Sequence, residues 1–266
     1  MRWKGRWALI TGASAGIGLA FAEQLAAEGV NLVLSARRVE RLQETAGKLR
    51  TAHGVKVEWV SADLARDEGA QQIFAYCQAR GIAVDLLINN AGIGTYGEFS
   101  GVDPKREALM VQVNCTAVAQ VTHLFLPRMV KQGRGDILIV SSTAAFQAVP
   151  YMAVYAATKT FDLIFAEALA QEVRRHGVRV CALCPGSTES EFDLLAGIPT
   201  ERTATIETAQ KVAQAGLSAL MAGRHTVISG FTNWALAQVQ RIAPRRVAAA
   251  VTEKMFRPDS VNPSKS

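Results

Sequence analysis

The chain has 266 residues, 49% hydrophobic, 20% charged and 7% aromatic, with 29 basic against 23 acidic side chains and a formal charge of +6. That apolar content can fill a sizeable core without a disulfide or metal staple, and it excludes an intrinsically disordered chain and a collagen-like fibre. Six surplus charges with no Lys/Arg block argue against a nucleic-acid-binding module, and an anionic small molecule accounts for them equally well.

Met1 to Arg6 leads straight into an apolar run with no leader-like core or cleavage site, so no export signal is read and a cytoplasmic chain is expected. Trp7 to Ile10 reads as an all-apolar strand, followed by a glycine turn and a helix to about Glu28. Asn31 to Ser35 is the second strand and Val39 to Arg50 the next helix; Val55 to Val60 is the third, with a helix after Asp67. Asp85 to Ile88 is the fourth, followed by a glycine-rich loop and a long helix through Asn114. Ile137 to Val140 is the fifth, with a helix from about Ala153, then Val178 to Leu183 and a short seventh strand at Thr226 to Ile228. Apolar strands alternating with helices predict an α/β fold, a doubly wound parallel sheet of about seven strands in a three-layer α/β/α sandwich.

No linker or repeat interrupts this rhythm, so residues 1–266 are expected to form one domain. Residues 186–206 break the alternation and are expected to form an apolar substrate flap carrying Phe192, Leu194, Leu195 and Ile198. Residues 231–257 read as a helical tail split at Pro244, docked on the body or on a sister subunit, with a membrane-surface helix as the alternative. Two runs without Asp, Glu, Lys or Arg, Ala108 to Pro127 and Ile137 to Thr158, carry too many polar residues for an integral membrane span and are expected to be buried. Cys181 and Cys184, three apart on one strand, point to opposite faces and are expected to be core thiols rather than a metal clamp. No metal site is read elsewhere.

Three constellations carry chemistry. Thr11 to Gly18 places Gly12, Gly16 and Gly18, with Ser14, Ala15 and Ile17 between them, where a first strand turns into a first helix. Glycines there let the backbone approach a pyrophosphate, and the helix amino terminus offers it N–H groups and partial positive charge. About twenty residues on, where an acid would hold ribose hydroxyls, stands Ser35-Ala36-Arg37-Arg38. A carboxylate repels a 2′-phosphate whereas arginine grips it, so NADP(H) is expected over NAD(H), with Arg37 the first candidate and Arg38 and Ser35 behind it. Tyr155 and Lys159, four apart on one helix face, pair a phenol with an ammonium that is expected to lower its pKa towards neutrality.

In these residues the chain resembles the short-chain dehydrogenase/reductase superfamily, in its branch of single-domain enzymes, over about two thirds of its length. The resemblance implies a Rossmann fold. Asp63, with Leu64 after it, matches the acid at the adenine, and Asn89-Asn90-Ala91-Gly92 matches the motif that supports the sheet and touches adenosine. Asn114, Ser142, Tyr155 and Lys159 match the catalytic tetrad, and Pro185-Gly186 the turn over the nicotinamide. By that resemblance Tyr155 is the proton donor, Ser142 holds the substrate oxygen, and Lys159 binds the nicotinamide ribose and tunes Tyr155. Asn114 would distort its helix and hold a water. The hydroxyl that contacts the cofactor amide falls to Thr188 or Ser190.

The expected function is NADPH-dependent reduction of an apolar ketone, such as a 3-oxoacyl thioester or steroid-like molecule. Flap and tail resemble acyl- and hydroxysteroid-type reductases. The alternative is a non-catalytic NADP(H)-binding redox sensor or scaffold. The expected partners are a small-molecule carbonyl substrate and further copies of the chain, as a dimer or tetramer, with no nucleic acid. The helical tail departs from the glycine-rich strand with which many relatives build a tetramer, and Ala15 stands where some NADP-specific relatives carry a base.

Overall fold

Short runs rich in Val, Leu and Ile supply the strands β1 (Trp7–Thr11), β2 (Asn31–Ala36), β3 (Val57–Ser61), β4 (Val84–Asn89), β5 (Gly135–Val140), β6 (Val178–Cys184) and β7 (Thr226–Ile228), buried along nearly their whole length except in the edge strands β3 and β7. In the computed structural model, which describes residues 2–199 and 206–258, these strands form one parallel sheet in the order β3-β2-β1-β4-β5-β6-β7. Helices cover both faces, as expected for strands with no polar side. One face packs α1 (Gly16–Ala27), α2 (Val39–His53) and α8 (Ala209–Met221) around Ile10, Leu34, Ile88 and Leu183. The other packs α3 (Gly69–Ala79), α5 (Ala117–Lys131) and α6 (Ala153–Val173) around Leu9, Val33, Leu87 and Ile139. Successive strand residues thus divide between two cores, and Cys181 and Cys184 divide with them, both buried and both free thiols.

Strand β5 begins two residues earlier than expected, because the buried acid Asp136 joins it, and in β4 the acid Asp85 is buried as well. Asp136 accepts from the Trp3 indole at 2.6 Å and from Arg179 at 2.6 Å, and Asp85 from Arg134 at 3.3 Å. Trp3, in the segment read as a simple lead-in, is itself fully buried.

The long helix before β5 is interrupted. Asp103 caps α4 (Pro104–Val111), accepting from the Lys105 N–H at 2.9 Å with proline at the first helical position. A π-turn at Gln112–Thr116 then separates α4 from α5. By length and composition the span Pro104–Lys131 is apolar enough to cross a membrane, but Val121, Phe125 and Met129 are buried against the sheet.

Residues 200–205 of the expected flap lie outside the described residues. Its earlier part contains a short helix, α7 (Phe192–Ala196), that the sequence pattern did not indicate. The tail forms α9 (Phe231–Ile242) and α10 (Arg245–Phe256), with the break at Ala243 and Pro244. Helix α10 is tied to the body beside α6: Thr252 Oγ1 donates to the Ala148 carbonyl, Tyr151 donates to Glu253, and Tyr96 donates to the Phe256 carbonyl.

Candidate active site

The strand order reverses at β1 and β4, where crossovers diverge and leave a crevice at the carboxyl ends of the strands. The glycine turn lies there. Gly12 has φ +68°, a left-handed conformation that side chains disfavour. At Gly18 a Cβ would collide with the Gly12 carbonyl oxygen and come within 2.5 Å of Asn90 Nδ2. Asn90 rivets the turn to β4, its Nδ2 donating to the carbonyls of Thr11 at 2.9 Å and Gly12 at 3.2 Å. The N–H groups of Asn90 and Ala91 both donate to Thr11 Oγ1. Helix α1 starts behind Ala15 with no side-chain cap and no acid in its first turn. Its amino terminus, Ile17 included, is left to an external anion, and the turn fits a dinucleotide pyrophosphate.

At the adenosine end it is Arg38, not Arg37, that turns to the glycine loop. Its guanidinium donates to Ser14 Oγ at 3.1 Å and pairs with Glu191 at 2.6 Å, and Arg41 also meets Glu191 at 2.6 Å. Both arginines hold the Glu191 carboxyl below the usual carboxylate range. Arg37 is exposed, and Ser35 is buried within β2. Asp63 Oδ1 accepts from the Ala65 N–H at 3.1 Å, and Leu64 is buried beside it.

The four tetrad positions converge from three elements. Asn114 sits in the π-turn, fully buried, exchanging hydrogen bonds with the Ile93 backbone at 2.9 Å each way and donating to Thr158 Oγ1 at 3.0 Å. Those bonds fix the loop behind Gly92 against α6, and an inserted π-turn residue is the backbone's way of presenting the side chain there. Ser142 follows β5; its Oγ accepts from the Ala144 N–H at 3.1 Å, which leaves its own hydrogen for another acceptor. Tyr155 and Lys159 stand on α6, the ammonium 6.0 Å from the centre of the Tyr155 ring.

Electrostatically the site differs from the simple pairing read in the sequence. The Tyr155 phenol is raised above its ordinary value: burial is the largest cause, and Asp162 and Asp193 add to it. Lys159 and the Ser142 hydroxyl pull the other way and do not prevail. Lys159 Nζ donates to the Val140 carbonyl at 2.9 Å and to Asp162 Oδ2 at 3.0 Å. Burial works against the ammonium, but Asp162 and Tyr155 outweigh it and hold Lys159 above its ordinary value. Sequence reading missed Asp162, although an acid three residues beyond Lys159 on a mostly apolar helix was a signal. It missed the pairing of Glu191 as well, because nothing local ties residue 191 to residue 38.

Thr143 N–H donates to the Pro185 carbonyl at 2.9 Å, joining the β6 exit to the Ser142 loop. Gly186 lies so close to Asn233 of α9 that a Cβ would come within 2.5 Å of its amide. Thr188 Oγ1 donates to the Gly186 carbonyl at 3.0 Å, whereas Ser190 Oγ accepts from the Phe192 N–H at 3.2 Å and faces Gly16. Of the flap's apolar residues, Phe192 and Ile198 turn inwards with Val149, Met152 and Ala156, and the Phe192 ring lies 5.2 Å from that of Tyr155. Leu194 and Leu195 turn to solvent.

A family profile described as short chain dehydrogenase matches residues 6–195. The very-long-chain 3-oxoacyl-CoA reductase-B of Danio rerio is 31% identical over 233 residues, covering 85% of this chain and 72% of its own. The chain spans between 53% and 72% of the length of the curated 3-oxoacyl-CoA reductases it resembles. A short-chain dehydrogenase from Sphingobium yanoikuyae in complex with NADPH is 31% identical with a TM-score of 0.81, covering 89% of this chain and 94% of its own. A short chain dehydrogenase/reductase from Burkholderia phymatum in complex with NAD is 26% identical with a TM-score of 0.81, covering 92% and 98%.

Proposed function

This chain belongs to the short-chain dehydrogenase/reductase family, and from that premise we propose that it reduces an apolar ketone to a secondary alcohol with NADPH. The observation that carries this reading is the convergence of Ser142, Tyr155 and Lys159 at the carboxyl end of the sheet, beside a glycine turn shaped for a dinucleotide. A protein that only bound the dinucleotide would need the turn but neither hydroxyl.

In this reading Gly12, Ser14, Ala15, Gly16, Ile17 and Gly18 hold the pyrophosphate and Asp63 with Leu64 the adenine. Asn90, Ala91 and Gly92 line the adenosine side, Lys159 and Tyr155 hold the nicotinamide ribose, and Pro185, Gly186 and Thr188 cover the nicotinamide. The cofactor supplies the hydride when bound. The residues of the chain position the carbonyl and balance its charge. As negative charge develops on the carbonyl oxygen, the Ser142 hydrogen stabilises it and the Tyr155 hydroxyl gives it a proton. A phenol raised above its ordinary value keeps that proton at neutral pH, which suits the reductive direction.

Arg38 beside Ser14, with Arg41 and exposed Arg37 nearby, supports a 2′-phosphate and hence NADP(H) over NAD(H). The inward Phe192 and Ile198 support an apolar substrate, and the 3-oxoacyl-CoA reductase relatives suggest an acyl thioester among the candidates. Exposed Leu109, Val111, Phe161 and Ile164 support a homo-oligomeric contact across α4 and α6.

The test is a panel of apolar ketones and 3-oxoacyl thioesters followed by loss of NADPH absorbance. Turnover of at least one, with NADPH bound at least about tenfold tighter than NADH, is expected. No turnover across the panel, with NADPH bound, would overturn the catalytic reading.

A further inference from the structure

Asp162 is fully buried, and its neighbours on α6 are mostly apolar. One carboxylate oxygen takes the Lys159 ammonium at 3.0 Å; the other, Oδ1, has no hydrogen-bond partner among the described residues. A buried carboxylate with a spare oxygen costs the fold stability, and such perturbed groups cluster at functional sites. The groups that face it are few: Lys159 and Tyr155 on its own helix, and Cys115 in the π-turn, whose thiol is pushed up to about 11 mainly by burial and then by Asp162. From the flap, Asp193 also acts on Tyr155, and the Ser142 hydroxyl acts on it from the end of β5. Cys184, at the end of β6, senses Lys159.

We propose that Asp162 is a positioning residue for the reaction. Its carboxylate anchors the Lys159 ammonium against the Val140 carbonyl and offsets its positive charge, so that Tyr155 keeps its proton and the site favours carbonyl reduction over alcohol oxidation. The inference rests on Tyr155 and Lys159 acting as proposed above.

Two variants test this, Asp162→Asn, which keeps the shape and removes the charge, and Asp162→Leu, which removes the polar atoms as well. The direct readout is ultraviolet difference titration of tyrosinate in the protein without cofactor, with the signal of the Tyr155→Phe form subtracted to isolate Tyr155. Removing the carboxylate leaves the ammonium supported by the Val140 carbonyl and by the phenolate that forms beside it, and is expected to lower the Tyr155 midpoint by about one pH unit. In steady state, the alkaline limb of the reductive pH profile should move to lower pH by the same amount, while alcohol oxidation at neutral pH rises. A merely structural role would change the rate without moving either midpoint. An unmoved Tyr155 titration in a folded variant of either kind overturns the proposal. If Tyr155→Phe itself leaves reduction intact, the catalytic reading fails instead, and the titration still decides what Asp162 does to the phenol.

Discussion

At the catalytic end of the cleft Lys159 meets Asp162 at 3.0 Å with side chains 6% and 1% exposed, whereas at the adenosine end Arg38 meets Glu191 at 2.6 Å with side chains 40% and 39% exposed. The shorter pair is the weaker one. Water surrounds Arg38 and Glu191, screens them and competes for their hydrogen bonds, so such a pair is worth about 0–1 kcal/mol. Lys159 and Asp162 have lost that water, and each depends on the other to justify its charge. The buried pair therefore fixes a geometry, and the exposed one holds Glu191 to the two arginines only weakly.

The largest expected effect comes from breaking the buried pair on one side. Lys159→Met leaves Asp162 as an unpaired buried charge and should destabilise the fold by about 3–5 kcal/mol in urea unfolding. It should also lower the rate of reduction. Adding Asp162→Leu should recover most of the stability but not the activity, which separates the two roles of the lysine.

Next in size is a pH effect. Burial raises Asp162 to about 6 from an ordinary 3.8, the opposite of what an exposed partner of lysine would show. Because the folded protein binds this proton more tightly than the unfolded chain, the contribution to stability is full below about pH 4 and is lost as pH rises through 6. The stability difference between wild type and Asp162→Asn should therefore change in favour of the wild type, by on the order of 2 kcal/mol, between pH 7 and pH 4.

At the exposed end, Arg38→Ala should narrow the preference for NADPH over NADH by about tenfold, the loss of one charge-assisted phosphate contact. Arg37→Ala should narrow it less, because that side chain is exposed and Arg38 is the one at Ser14. Glu191→Gln is the smallest change. It should change the unfolding free energy by under about 1 kcal/mol, and raising the salt concentration should erase the difference.

The same contrast explains what could be read from the chain. Strands such as Leu86-Leu87-Ile88 and the turn from Gly12 to Gly18 are local patterns whose periodicity and conformational demands appear in the residues themselves. The convergence of Asn114, Ser142, Tyr155 and Lys159 was legible through spacing and family resemblance. What stayed hidden were long-range charge contacts: Trp3, Arg2 and Arg179 on Asp136, and Arg38 and Arg41 on Glu191. No periodic signal marks these, because each partner alone reads as an ordinary surface charge or a misplaced one. The direction of the Tyr155 shift needed a balance of magnitudes: the charge-free run Ile137 to Thr158 marks the phenol as buried and Lys159 marks an ammonium beside it, but only the packed structure shows that burial prevails.

The central claim is that Tyr155 delivers the proton to the substrate oxygen. Its most direct test is single-turnover reduction of an active ketone by Tyr155→Phe with NADPH already bound, compared with wild type. With cofactor affinity retained, a fall in rate of about 10²–10⁴-fold is predicted. A variant that binds NADPH and reduces the ketone at the wild-type rate would contradict the account.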